Sequence, residues 1–204
     1  MGCEPSSPSI EDKDEDKDDE SSGCELYFTR EAPWAPHQTD EHMTVVSVED
    51  EAHLRDNIKT LLSSDQAKPF VDSNKIHMLP DGVFKDKDGS MTTVVEYVQK
   101  HVMGGWSLQT QTQGVPQPTV KLLVLMDIVL VQGGDGVEIC KKLRAAFGEH
   151  ICVIAATCNS SRMLTQHYKR SGFDGILSKE FTRDNMIPLL QSVFRMPHGW
   201  QEFL

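Results

Sequence analysis

The sequence predicts an α/β fold in which a doubly wound, parallel five-stranded sheet is covered by helices on both faces. Two observations support this prediction. From Met43 onward, short apolar runs alternate with segments whose apolar residues recur at helical spacing, which is typical of βα repeats. The chain has 204 residues, enough for one ordinary domain with extensions, and its longest apolar run is far too short to span a bilayer.

The elements of this pattern follow one another along the chain. A buried strand over Thr44–Val48 precedes a helix whose apolar face carries Leu54, Ile58, Leu61 and Leu62. The later predicted strands are Lys121–Val131, Ile151–Ala156 and Gly175–Ser178. The helices between and after them are Gly136–Phe147, Arg162–Arg170, which Gly172 ends, and a last amphipathic helix marked by Met186, Leu189, Leu190, Val193 and Phe194.

The region from about 65 to 118 has a weaker pattern. It contains a predicted strand at Lys75–Leu79 and a predicted helix at Met91–His101. The polar stretch Trp106–Pro118, rich in Gln, Thr and Pro, is expected to be a long exposed loop. We interpret the whole region as an insertion that expands the second βα unit.

Residues 1–42 differ in composition from the rest of the chain. They hold 13 acidic and 3 basic residues, and every position of Glu11–Glu20 is charged. Such a segment buries too little apolar surface to offset the entropy of ordering, so a disordered tail is predicted. The tail carries most of the formal charge of −11, which leaves residues 43–204 nearly neutral and without a pattern typical of nucleic-acid binding. The predicted domain is 43–196, with a short tail at 197–204.

Polar residues follow the predicted strands at the points where these strands end. Glu49 and Asp50 follow the first strand, Asp127 ends the third, Thr157 ends the fourth and Lys179 ends the fifth. The carboxyl ends of parallel strands meet at one edge of a sheet, where ligands bind. Three carboxylates at one place favour a divalent cation such as Mg²⁺, and an aspartate can attack phosphorus to form an aspartyl phosphate.

Five short motifs occur in an order that resembles the response-regulator receiver domain. They are Val48–Ala52, Leu125–Ile128, Asp135–Cys140, Ala156–Thr157 and Gly172–Lys179. The resemblance covers roughly Met43–Arg195 and implies the flavodoxin-like (βα)₅ fold. It also implies phosphorelay signalling, with a phosphohistidine on a histidine kinase or a histidine phosphotransfer protein as the donor.

The resemblance implies a role for each of these residues. Asp127 would be the phosphoacceptor, and Glu49, Asp50, Asp127 and the backbone carbonyl of Val129 would hold Mg²⁺. Thr157 and Lys179 would contact the phosphoryl group. The receiver itself would catalyse transfer and later hydrolysis without being a classical enzyme. Because few residues follow the last helix, no attached output domain is expected, and a downstream effector protein would receive the signal.

Departures from the family pattern keep other functions open. The residue three before Lys179 is Ile176, where the family commonly has an aromatic residue, and Glu180 stands where the family often has proline. A degenerate receiver that acts as a membrane-tethered interaction scaffold is therefore an alternative. A haloacid-dehalogenase-type phosphatase is disfavoured because Val129 stands where its second carboxylate would be. An FMN-binding flavodoxin is more distant still, since acids replace its phosphate-binding loop.

The N-terminus matches a lipidation pattern. Met1-Gly2-Cys3-Glu4-Pro5-Ser6 fits the myristoylation template at Gly2. A single acyl chain anchors weakly, and palmitate on Cys3 would supply the second signal. No secretory signal is visible, and the five cysteines include no zinc-type pair. Cys140, Cys152 and Cys158 fall in apolar contexts where buried reduced thiols are expected, which favours a reducing compartment. We therefore predict a cytoplasmic protein, tethered to the cytoplasmic face of a membrane if it is acylated.

Overall fold

The computed structural model describes residues 25–26, 42–114, 120–131, 134–159 and 161–195. The strands are β1 (Glu25–Leu26), β2 (Met43–Val48), β3 (Val71–Leu79), β4 (Val83–Lys85), β5 (Met91–Thr93), β6 (Leu122–Asp127), β7 (Val129–Leu130), β8 (Gly134–Asp135), β9 (Ile151–Thr157) and β10 (Gly175–Ser178). The helices are α1 (Ala52–Leu62), α2 (Val94–Tyr97), a π-helical turn (Val98–Val102), α3 (Leu108–Gln111), α4 (Gly136–Phe147), α5 (Arg162–Arg170) and α6 (Arg183–Arg195).

The main sheet has the strand order β1-β10-β9-β6-β2-β3. Strands β3, β2, β6, β9 and β10 pair in parallel, which confirms the predicted five-stranded parallel sheet. Strand order reverses beside β2, since β2 is followed along the chain by β3 on one side and then by β6 on the other. This switch point is where ligands bind in open α/β sheets.

Alternate residues of the central strands face two separate cores. On one face, Val46 and Val124 pack with the buried side chains of α4, including Leu143 and Phe147. On the other face, the neighbouring strand residues pack against the apolar sides of α1 and α6. Burial on both faces explains why the sequence of these strands is continuously apolar rather than alternating.

The prediction of a strand over Lys121–Val131 is too long. The strand ends at Asp127, where the backbone N–H of Val129 donates to Asp127 Oδ1 at 3.1 Å. This local side-chain hydrogen bond competes with the sheet ladder and turns the chain. The residues after it form a small hairpin between β7 and β8.

Two predictions between β3 and β6 are wrong. Met91–Thr93 is a strand paired with β4 rather than the start of a helix, and helix α2 begins at Val94 behind a capping box of Thr93 and Glu96. Trp106 is fully buried rather than exposed, and Ser107 caps the short helix α3 within the expected loop. Residues 115–119 of that loop lie outside the described residues.

The predicted disordered tail contains β1, which pairs antiparallel with β10 through Glu25↔Ile176 and Leu26↔Gly175. The rest of residues 1–41, with the lipidation candidates Gly2 and Cys3, lies outside the described residues, as does the tail 197–204. Among the helices that are described, none is long and apolar enough to cross a membrane.

Candidate functional site

Three carboxylates meet at the carboxyl ends of β2 and β6. Glu49 and Asp50 follow β2 and Asp127 ends β6, and each offers a carboxylate oxygen within 4.8 Å of the others. Glu49 and Asp127 are buried at 1% exposure each, whereas Asp50 is half-buried. The predicted meeting of these residues is therefore present in the structure.

Lys179 brings a positive charge to the same place. It directly follows β10, and its Nζ lies 2.7 Å from Asp127 Oδ2 and 3.3 Å from Glu49 Oε2. The side chain of Lys179 is 11% exposed, so the ion pairs are shielded from solvent. Its ammonium is held at the Asp127 carboxylate by a charge-assisted hydrogen bond.

The shared burial changes the protonation equilibria of the cluster. Desolvation raises the pKa of Glu49 to about 7, with repulsion from Asp127 adding to the rise and Lys179 opposing it. Burial likewise raises the pKa of Asp127, although Lys179 and the N–H of Val129 act in the opposite direction. Without a cation, three carboxylates share the single positive charge of Lys179, and the raised pKa values favour protonation, which reduces the excess negative charge.

Thr157 and Val129 lie next to this cluster. Thr157 is buried at the end of β9, and its Oγ1 accepts a hydrogen bond from the N–H of Asn159 at 3.1 Å. Val129 is 76% exposed, while its backbone N–H donates to Asp127 Oδ1. The roles of the Thr157 hydroxyl and the Val129 carbonyl stay predictions.

Hydrogen bonds join the loop after β6 to Asp50 and to the start of helix α4. The N–H of Val131 donates to Asp50 Oδ2 at 3.1 Å, and the N–H of Gly136 donates to the carbonyl of Ile128 at 3.0 Å. At Gly136 the helix α4 touches the loop so closely that a Cβ would lie 2.0 Å from the Asp127 carbonyl oxygen. The prediction of site residues missed Gly136, although a glycine next to the helix cap Asp135 was a signal for such a contact.

The residues present fit a Mg²⁺ ion. Mg²⁺ takes oxygen ligands at roughly 2.0–2.1 Å, so opposite ligands lie about 4 Å apart. The three carboxylates offer oxygens that all lie within 4.8 Å of one another. Glu49 Oε2 is buried and receives no hydrogen bond, although Lys179 Nζ forms an ion pair with it. A buried carboxylate oxygen without a donor is what a bound cation would satisfy.

The raised pKa of Glu49 leads to a test in the absence of divalent cations. Glu49 titrates near its ordinary pKa when unfolded and near 7 when folded, so the folded state binds more protons between these values. The free energy of unfolding should therefore fall as the pH rises from about 4.5 to 7, by on the order of 2–3 kcal/mol from this group. In Glu49→Gln this fall should be smaller, as urea unfolding at several pH values with a chelator would show. Equal pH dependence in both proteins would contradict the shift.

Comparisons with known proteins agree with this arrangement at the level of the fold. The sequence matches no protein-family model and no curated protein at a significant level. The structure is similar to the signal receiver domain of the response regulator NarL from Mycobacterium tuberculosis, with a TM-score of 0.52, 15% identity, and coverage of 78% of this chain and 100% of that one. It is also similar to a probable two-component response regulator/GGDEF domain protein, with a TM-score of 0.51, 16% identity, and coverage of 77% of this chain and 50% of that one. The chain thus spans half the length of the second protein. With the parallel sheet and the strand order described above, these similarities show that the chain has the fold of a response-regulator receiver domain.

Proposed function

We propose that this protein is a Mg²⁺-dependent phosphoacceptor in phosphorelay signalling and that Asp127 takes the phosphoryl group. The observation that carries the proposal is the position of the Asp127 carboxylate. It lies at the switch point of the sheet, 2.7 Å from Lys179 Nζ, and shares its surroundings with Glu49 and Asp50.

Each side chain has a task in this transfer. An Asp127 oxygen attacks the phosphorus of a phosphohistidine, a new O–P bond forms, and the N–P bond breaks with its electron pair returning to the imidazole of the donor. Lys179 offsets negative charge on the phosphoryl oxygens, and the Thr157 hydroxyl can donate to one of them. Glu49, Asp50, Asp127 and the Val129 carbonyl are the expected Mg²⁺ ligands. When bound, the ion supplies charge neutralisation at the phosphoryl oxygens.

The proposed partners follow from this chemistry. The donor would be a histidine kinase or a histidine phosphotransfer protein, because an imidazole is a good leaving group for attack by a carboxylate. Hydrolysis of the aspartyl phosphate would reset the protein. The phosphorylated state would be recognised by a downstream effector protein.

Intact-mass measurement after incubation with Mg²⁺ and a small phosphodonor such as acetyl phosphate tests the proposal. The wild-type protein should gain the mass of one phosphoryl group, and the gain should disappear in hydroxylamine, which cleaves acyl phosphates. Asp127→Asn should show no gain, because an amide is not a nucleophile for this reaction. The control Asp135→Asn should gain mass like the wild type, since asparagine also serves as the helix cap that Asp135 provides for α4.

The absence of a mass gain in the wild-type protein would overturn the proposal and favour the scaffold alternative. One observation speaks for that alternative. Ile176, which stands where an aromatic residue is common in the family, is buried at 2% exposure. Its strand β10 is flanked by the short edge strand β1, which pairs with it at this position.

A further inference from the structure

We infer that Arg55 is a positioning residue that sets the geometry of the acidic pair Glu49–Asp50. This inference rests on the proposed Mg²⁺ site and adds a residue to it that has no contact with the metal. Arg55 lies on α1, five positions after Asp50, and its side chain is half-buried.

The need for such a residue arises from the geometry of a strand. Successive side chains of an extended chain point to opposite faces of a sheet. Glu49 and Asp50 are neighbours in sequence, yet both carboxylates lie within 4.8 Å of each other and of Asp127. The chain must therefore leave the extended conformation between them, and it bends at Asp50.

This bend takes two backbone carbonyls out of the sheet ladder, and Arg55 binds both. Its guanidinium nitrogen Nη1 donates to the Glu49 carbonyl at 2.7 Å and to the Asp50 carbonyl at 2.6 Å. Side chains of a helix lean toward its N-terminus, so a residue in the second turn of α1 can reach the preceding loop. Glu51 at the N-cap makes no side-chain capping bond that would otherwise fix this turn.

The Glu49 carboxylate is held by the same turn. Its Oε1 accepts a hydrogen bond from the N–H of Glu51 at 3.3 Å, so the side chain depends on the course of the backbone after Asp50. Without Arg55 the two carbonyls would lose their shared donor, and the turn that carries both carboxylates would be held less firmly. Binding of a cation would then have to order this loop as well, which lowers the affinity.

Electrostatics alone predicts the opposite result. Arg55 is a positive charge near the site, so its removal would by itself strengthen the binding of a cation. A positioning role predicts weaker binding. The direction of the change in Mg²⁺ affinity therefore separates the two effects.

The experiment uses the full chain and compares the wild type with Arg55→Gln, Arg55→Lys and the control Lys59→Gln. The control removes one exposed positive charge from the same helix. The dissociation constant of Mg²⁺ is measured by titration and by the rise of the melting temperature with Mg²⁺. We expect Arg55→Gln to bind Mg²⁺ about tenfold more weakly, as is common when a group that orients metal ligands is removed. Lys59→Gln should bind Mg²⁺ like the wild type. Arg55→Lys should fall between, because one ammonium can donate to both carbonyls with less rigid geometry.

A second measurement needs no metal. Hydrogen exchange at the Glu51 amide should be faster in Arg55→Gln than in the wild type, with no change in β6 or β9. Unchanged or tighter Mg²⁺ binding in Arg55→Gln, or unchanged exchange at Glu51, would overturn the positioning role. A wild-type protein that binds no Mg²⁺ would instead overturn the proposed metal site, and the exchange data would still test the contact.

Discussion

Replacement of Arg144 by methionine should lower the free energy of unfolding by about 3–5 kcal/mol, the range for breaking a buried ion pair by removing one partner. Arg144 of α4 and Asp174 before β10 form an ion pair with side chains that are 12% and 8% exposed. Methionine keeps most of the apolar stem, so the change measures the loss of the guanidinium. The expected effect exceeds that of an exposed ion pair, which is commonly below about 1 kcal/mol.

The reason for this size is the number of groups that depend on one guanidinium. Besides Asp174, Arg144 donates to the backbone carbonyls of Gly172, Gly148 and Ile151 at 2.7, 2.9 and 2.7 Å. Asp174 would keep the hydrogen bond from the N–H of Val153 but would lose its counter-charge. An uncompensated charge in a buried place is costly.

Urea denaturation followed by circular dichroism measures this effect. Lys142→Met is a matched control, because Lys142 is an exposed cation on the same helix, and its substitution should change stability by no more than about 0.5 kcal/mol. The double variant Arg144→Met/Asp174→Asn should be less destabilised than the sum of its single variants, because both changes remove the same pair. A loss below 1 kcal/mol in Arg144→Met would contradict the assigned role.

Gly136→Ala should abolish most phosphoryl uptake at Asp127. The added Cβ would lie 2.0 Å from the Asp127 carbonyl oxygen and 2.9 Å from its carbonyl carbon, and the nearest atoms all belong to the backbone. Backbone cannot move aside as a flexible side chain can, so either α4 or the Asp127 segment must shift. We expect a loss of about 1–3 kcal/mol in stability from overpacking and, because misplacement of a reacting group by about 1 Å can cost a hundredfold, at least a tenfold slower mass gain.

Gly134→Ala provides the control for this prediction. Gly134 lies in β8, two positions before Gly136, with a φ of +94°, and a Cβ there would meet nothing within 4 Å. Alanine at Gly134 should therefore destabilise the protein through backbone strain while leaving Asp127 in place. The rate of mass gain at saturating acetyl phosphate should stay near that of the wild type in Gly134→Ala and fall in Gly136→Ala. Equal rates in the two variants would show that the contact at Gly136 does not position Asp127.

The sequence patterns predicted helices and strands correctly where local or periodic interactions determine the secondary structure. The helices Gly136–Phe147 and Arg162–Arg170 and the strand Gly175–Ser178 begin and end where the apolar spacing and the glycines predict. The meeting of Glu49, Asp50 and Asp127 was also predictable, because parallel strands deliver their carboxyl ends to one edge of a sheet. These predictions depend on periodicity and topology, which a sequence displays directly.

The segment between β3 and β6 was predicted less well, for an identifiable reason. Its polar composition hides the burial of Trp106, which packs against Phe147 with ring centroids 6.5 Å apart. A single aromatic residue beside glycines and glutamines carries no periodic signal. Its burial depends on a surface that the distant helix α4 provides through Phe147.

The sequence by itself determined the α/β class, the order of the main strands and helices along the chain, and the set of polar residues at the strand ends. Only the tertiary structure decided how those ends are held. Arg55 on the Glu49 carbonyl, Gly136 against the Asp127 carbonyl and Arg144 on the Asp174 carboxylate are contacts with particular backbone or side-chain atoms. An arginine or glycine on a helix has the same local pattern whether it faces water or a loop, and only the packing of the whole chain distinguishes the two.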